Sequence, residues 1–298
     1  MTSDRSNADA EDPDSLSLIS LKSQLWAHLQ EIARERDPYL ASEGHFYVQQ
    51  YIQGHLAQFG SVEMQPFTIR GQTHHNILLK LPGQQANRPP IVIGAHYDAV
   101  PGSPGADDNA SGVAVLLELG RSLSTQPARH PVWLVAFDLE EFGLLGSRHC
   151  AEQLHAQGQR LRLMLSLEML GYCTPQPGSQ QYPADFFYRL YPSQGNFIAL
   201  VGNPTVALDM QRLSRSLQQA GGVPAYWFPA PNRAKSLPDL RRSDHAPFWD
   251  LGYPAVMLTD TADQRNPHYH QASDRPETLD LDFLTGVCRG LLHGIQSL

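Results

Sequence analysis

Ile91-Val92-Ile93-Gly94-Ala95 runs straight into His96-Tyr97-Asp98. A short apolar run that ends abruptly in a histidine and an acid reads as a buried strand delivering polar side chains at its carboxyl end. The shape recurs. Val132–Phe137 (VWLVAF) runs into Asp138-Leu139-Glu140-Glu141, and Leu161–Leu167 (LRLMLSL) into Glu168-Met169. The late run AVMLTD, from Ala255, is followed by Asn266-Pro267-His268-Tyr269-His270. Helical patterns separate these runs: Ser111–Leu123 with Val113, Leu116, Leu117 and Leu119, then a helix through Leu145 and Ala151. Strands alternating with helices predict an α/β fold, a mixed, mainly parallel central sheet with helices on both faces. In such a sheet functional groups collect beyond the carboxyl ends of the strands, which is where these acids and histidines fall.

Working outward, a helix from Ser15 carries Leu18, Leu21, Leu25, Leu29 and Ile32 on one face. A second has Val48, Ile52, Leu56 and Phe59 at helical spacing, with Gly60 where a C-terminal cap belongs. Two extended segments follow, Ser61–Ile69 and His75–Leu81. Later come a strand at Ile198–Val201, a helix over Val206–Ala220, strands at Ala225–Phe228 and Ala255–Leu258, and a closing helix from Leu281. Residues 1–14 are acidic, lack apolar periodicity and are expected to be disordered. Residues 15–298 read as one domain, with a loop-rich insertion at about 172–243 that is dense in Pro, Gly, Gln and Tyr.

Composition narrows the function classes. The 298 residues are 41% hydrophobic, enough for a large core, and the formal net charge of −8 gives no reason to expect a nucleic-acid partner. No apolar stretch approaches the roughly 20 residues that span a bilayer, and the polar N-terminus lacks a signal-peptide core, so no membrane association is expected. Cys150, Cys173 and Cys288 are odd in number and far apart, which disfavours disulfides and a thiolate metal site and points to a reducing, cytoplasmic setting.

Each polar cluster has an ordinary explanation when taken singly. Adjacent glutamates usually form a solvated face, and Asp107-Asp108 before a helix usually caps it. Their coincidence at successive strand ends, in the order His, Asp, Glu, Glu, His, is much harder to meet by chance. Zinc takes imidazole nitrogen and carboxylate oxygen at roughly 2.0–2.2 Å, and a two-metal site needs a carboxylate able to bridge ions about 3.5–4 Å apart. Asp98 stands where it can accept the second ring N–H of His96. Of two adjacent glutamates, one can bind metal while the other stays free as a base.

The segments HYDAVPGSPGADDNASG (96–112), FDLEEFGLLGS (137–147), SLEMLGY (166–172) and NPHYHQASDRPETLD (266–280) resemble the four signatures of the co-catalytic zinc aminopeptidase family. That family includes leucyl-type aminopeptidases, glutamate carboxypeptidase and, as a divergent branch, glutaminyl cyclase. The resemblance spans roughly Ile91 to Leu279. It implies a zinc-peptidase catalytic domain with two zinc ions. His96 and Glu168 would hold one, Glu141 and His270 the other, and Asp108 would bridge them. Glu140 would be the general base and Asp98 the partner of His96, leaving Asp107 and His268 as neighbours. Glu168 stands where the family often has aspartate. The longer arm leaves a looser second site, or a single zinc, as the alternative. Ser243-Asp244-His245, in RRSDHAPFW, resembles a segment beside the family's pocket, and Asp244 and His245 are carried over as substrate contacts or supports of the ligands.

The implied activity is a zinc-dependent exopeptidase, an aminopeptidase acting on peptide or aminoacyl substrates. Arg233, Arg241, Arg242 and Arg265 are available to a substrate carboxylate, which would suit a carboxypeptidase or deacylase instead. Cyclase-type acyl transfer on one zinc is a further alternative. A non-catalytic binding protein is disfavoured because every ligand and the base are present.

Overall fold

The computed structural model describes residues 13–298. The tail read as disordered falls outside the described residues except for its last two positions, which open a helix. Helices α1 (Pro13–Ile32) and α2 (Ser42–Leu56) come first, followed by strands β1 (Val62–Ile69) and β2 (Gln72–Leu81). Next are β3 (Ile91–His96), α3 (Gly112–Thr125), β4 (Val132–Phe137), α4 (Leu145–Ala156) and β5 (Leu163–Glu168). A small antiparallel ribbon pairs β6 (Thr174–Pro177) with β7 (Gln194–Gly195). The chain then forms β8 (Ile198–Gly202), α5 (Ala207–Gln219), β9 (Ala225–Pro229), α6 (His245–Asp250), β10 (Ala255–Thr259) and α7 (Leu281–Ser297).

Eight strands make one sheet in the order β1-β2-β4-β3-β5-β10-β8-β9. The central four, β4-β3-β5-β10, are parallel, and they are the four whose ends carry the acids and histidines. β2 and β8 run antiparallel to them. The chain leaves β3 for β4 on one side, yet β5 pairs on the other. The end of β3, and with it His96, therefore lies at the point where strand order reverses and a crevice opens.

Alternation along the strands separates two cores. Ile91, Ile93, Leu134, Leu165 and Leu258 face one way, against α1, α2, α3, α5 and α7. Val92, Val135, Phe137, Met164 and Met257 face the other, against α4 and α6. This is the period-two pattern of strands buried on both faces. α3 is apolar on nearly every side because it sits beneath α1, α2 and α7.

Two expectations change. α2 stops at Leu56, and Phe59 lies in the turn beyond it. Gly60 is not a left-handed cap, and a Cβ there would press on the Leu79 side chain. The two extended segments form a single hairpin. Arg70 and Gly71 both have positive φ (50° and 81°), as a two-residue turn matched to strand twist requires. Within 172–243, the expected strand, helix and strand are present as β8, α5 and β9, which extend the main sheet, and the loop texture lies on either side of them. All three cysteines are free, and no helix of the described residues is long and apolar enough to cross a membrane.

Gly94, in the middle of β3, has the ring of Phe137 packed where a Cβ would sit. Gly94→Ala should lower stability by about 1–3 kcal/mol through overpacking, read from the urea unfolding midpoint. An unchanged midpoint would mean that the sheet face over β3 has room the structure denies it.

Candidate metal centre

His96 ends β3 and Glu168 ends β5. Glu140 and Glu141 follow β4 in the turn 139–144, whose Leu139, Gly143 and Leu144 all have positive φ. Asp108 comes from the irregular turn Ala106–Ser111 that leads into α3, and His270 from the loop after β10. Adjacent strands are about 4.8 Å apart, so neighbouring strand ends bring these groups within reach of one another.

The contacts centre on Asp108. Its Oδ1 lies 3.2 Å from His96 Nε2, and its Oδ2 lies 3.1 Å from His270 Nε2. His96 Nε2 is also 3.6 Å from Glu168 Oε1, and His270 Nε2 is 3.3 Å from Glu141 Oε2. Despite these approaches, neither Nε2 atom has a hydrogen-bond partner among the described residues, and neither does Glu141 Oε1. Two tetrahedral ligands each about 2.1 Å from one ion stand about 3.4 Å apart. Buried imidazole nitrogens without hydrogen bonds, spaced in this way from carboxylate oxygens, fit metal ligation. Glu140 also lies here, with one oxygen and donors of His96 and Glu168 all within 4.8 Å of each other.

The cluster is short of positive charge. Burial pushes Glu140 well above the usual carboxylate range. His96 opposes the shift, while Glu168, Glu141 and Asp244 reinforce it. Burial and then Asp108 push Glu141 up to about 7, against the pull of His270. Burial also raises Glu168, with His96 opposing. Asp108 is the exception. Burial works against its charge too, but contacts with His270 and His96 hold it below the usual range. Burial likewise works against a charged His270, yet Asp108 and Glu141 bring it up to about 10. Divalent cations are the natural counter-charge for such a set of donors.

Backbone clamps hold the acids in place. Asp98 accepts the Glu140 N–H on Oδ1 and the Glu141 N–H on Oδ2, both at 3.1 Å, and so fixes the turn that carries both glutamates. Asp98 also stands beside His96, whose Nδ1 lies 3.2 Å from the Asp98 main-chain oxygen and 3.4 Å from its carboxylate. Asp274 takes the backbone N–H groups of Asp107 and Asp108. Asn109 donates to Leu167 O and accepts from Met169 N–H, bracketing Glu168. Asp107 accepts from Gly171 N–H and the Asn266 side chain, as a neighbour rather than a member of the Asp108 contacts.

Arg36 was not legible as a site residue. It is fully buried and donates to the main-chain oxygens of Tyr97, Pro104, Gly105 and Asp108, joining the loop after His96 to the turn that carries Asp108. Behind the glutamate turn, Asp138 pairs with His45 (2.7 Å) and His74 (3.3 Å), and its own backbone N–H is held by Asn76. Hydrogen bonds from both histidines offset the cost of burial and leave Asp138 at about 2.

The remaining expected residues separate. Ser243 donates to Glu168 Oε2 at 2.7 Å, which tethers the longer arm expected to be loose. Asp244 is buried, with neither oxygen hydrogen-bonded among the described residues. Burial brings it up to about 7, with His96 opposing. His245 is set apart from the cluster. Its Nε2 bonds to Leu240 O, its ring packs edge-on against Trp249 at 4.3 Å, and burial drops it to about 3. His268 bonds to Ser273 on the surface and stays out of the cluster, whereas His270 stacks on Tyr269 at 3.8 Å. Next to Glu168 and Tyr269 opens a cavity of about 110 Å³, walled by Tyr182, Phe187, Phe197, Trp227 and Met257.

Comparison with known proteins gives a match to Peptidase family M28 over residues 76–293. The chain belongs to Peptidase family M28. Among similar proteins, the uncharacterized protein YfbL of Escherichia coli (strain K12) is 36% identical over 241 residues, covering 78% of this chain and 73% of YfbL. LapA aminopeptidase of Legionella pneumophila shares the fold, with a TM-score of 0.73 at 18% identity over 100% of this chain and 77% of LapA. BSAP, a zinc aminopeptidase from Bacillus subtilis, gives a TM-score of 0.59 at 25% identity over 77% of this chain and 51% of BSAP. The chain spans about half the length of several other curated relatives it matches.

His270→Ala should lower bound zinc per chain, measured on purified protein after dialysis, while His268→Ala should retain it. Equal loss from both variants would contradict the separation of these two histidines.

Proposed function

We propose that the chain is a zinc-dependent aminopeptidase, with His96, Asp108 and Glu168 around one ion and His270, Asp108 and Glu141 around a second. The observation that carries this reading is the carboxylate of Asp108, whose two oxygens face two different histidines while a further acid stands beside each. The aminopeptidase names of LapA and BSAP support it. Zinc bound there supplies Lewis acidity toward the scissile carbonyl and toward water.

The chain's own groups do the rest. Glu140 stands beside His96 and Glu168 but outside the four contacts made around Asp108, which leaves its carboxylate free to take a proton from the attacking water. It then returns that proton to the leaving amine. Asp98 keeps Glu140 in position through the backbone. The relatives named as aminopeptidases favour a substrate with a free amino terminus, which would sit beside the ions and the acids around them. The arginines that would suit a terminal carboxylate have other partners within the chain, Arg242 among them although it also lines the cavity. Arg241 pairs with Asp250, Arg242 with Asp263 and Tyr269, and Arg233 bonds to Asp250 O. Arg265 is buried against Phe197 and Gln180. The cavity beside Glu168 suits an apolar side chain on the terminal residue, at a volume near that of a cavity that takes up benzene. Three unpaired cysteines support a reducing, cytoplasmic location.

Glu140→Gln preserves size but cannot accept a proton. Zinc content and folding should survive while kcat on a leucyl peptide falls by about 10²–10⁴. Glu141→Gln should weaken zinc binding first, with activity partly recovered at high zinc. Zinc loss from Glu140→Gln with retention in Glu141→Gln would exchange the two roles.

A further inference from the structure

Phe142 directly follows Glu141, at the tip of the turn that carries both glutamates, and it is 39% exposed. That turn is tight and braced: Gly143 N–H and Leu144 N–H both bond to Glu140 O, and Asp98 holds the two glutamate N–H groups. The phenyl ring meets Tyr39 edge to face at 5.0 Å. Tyr39 is fixed in turn. Asp37 accepts the backbone N–H groups of Tyr39 and Leu40, and the Tyr39 hydroxyl reaches His74 Nε2 at 3.4 Å. Leu40, next along the chain, is 79% exposed. Tyr39 and Phe142 thus form a partly exposed apolar ledge on rigid supports beside the catalytic turn, with the exposed Leu40 next to Tyr39 along the chain.

The sheet order sets the ledge against the apolar cavity. The cavity lies over β5, β10, β8 and β9. The ledge lies beyond β4, and His74, under Tyr39, belongs to β2. His96, at the end of β3, is between them. From β5 to β4 is two strand spacings, about 10 Å, which an extended peptide crosses in about three residues. With the terminal side chain in the cavity and the scissile bond over β3, the next one or two residues arrive at the ledge.

We propose that Tyr39, Leu40 and Phe142 form a subsite for the leaving part of the substrate, which selects peptides with an aromatic or large aliphatic residue at the first or second position after the cut. This rests on the aminopeptidase reading and extends it to the other side of the scissile bond. The ledge is continuous with the catalytic turn, which argues for the substrate itself as its occupant. An apolar contact of this kind discriminates by tenfold or more, and a half-open ledge sits at the low end of that range.

The test compares kcat/KM for Leu-Gly-Gly, Leu-Phe-Gly and Leu-Gly-Phe with the zinc-loaded full chain. One of the phenylalanine peptides should exceed Leu-Gly-Gly by about tenfold, mostly through KM. Phe142→Ser and Leu40→Ser should each shrink that ratio, Phe142→Ser to within about twofold, and Phe142→Tyr should preserve it. Equal values for the three peptides on the wild-type enzyme, or a ratio that survives Phe142→Ser, overturns the subsite and leaves the aminopeptidase reading standing. Cleavage of none of the three overturns both.

Discussion

Asp108 faces two histidines that come from opposite ends of the fold's logic. His96 belongs to the innermost strand, and His270 to a loop more than 170 residues further along the chain. Holding one carboxylate between them is the constraint that orders everything nearby. Arg36 fastens the main chain around Asp108 to the loop after His96, and Asp274 fastens it to the loop that brings His270. Asn109 and Ser111 fasten it to the exit of β5, where Glu168 sits. Ser103 reaches the Gln271 oxygen and closes the circuit. Few of these hydrogen bonds are to the acids themselves. They go to backbone groups on either side, which leaves carboxylate oxygens free for ions and substrate. Support of this kind is what keeps a metal site within the tolerance its chemistry demands.

Much of this arrangement was legible because two periodicities are strict. Apolar runs buried on both faces stand out in a sequence; β3, β5 and β10 end at polar residues and β4 is followed directly by Asp138. Periodicity placed acids and histidines at the strand ends, and the choice among neighbouring candidates, Asp108 over Asp107 and His270 over His268, came from the family resemblance. The contribution of Arg36 could not be read. It lies in Arg34-Glu35-Arg36-Asp37, which looks like any solvated charge run, and its partners are carbonyl oxygens that converge only in three dimensions. The segment Ser243-Asp244-His245 was read as a unit, and the structure divides it. The bulk of Trp249, one turn on, holds His245 among apolar side chains, while the small hydroxyl meets Glu168. The hairpin of β1 and β2 was seen as two strands and missed as a pair. Arg70-Gly71 is a serviceable primed turn that lacks the usual asparagine signal.

The fold's asymmetry also gives the centre a direction. Strands β8, β9 and β10, with the aromatic stretch after residue 180, wall a cavity on one side of the centre, and α2, β2 and the tip at Phe142 frame the other. A peptide that enters amino end first carries its terminal side chain toward the apolar hollow beside Glu168.

The central claim is that Asp108 bridges two ions. Anomalous diffraction at the zinc edge, on crystals of the chain loaded with zinc, tests it most directly. The account predicts two peaks about 3.5–4 Å apart on either side of the Asp108 carboxylate, one next to His96 and Glu168 and the other next to His270 and Glu141. A single peak, or two peaks with Asp108 bound to only one, would contradict it.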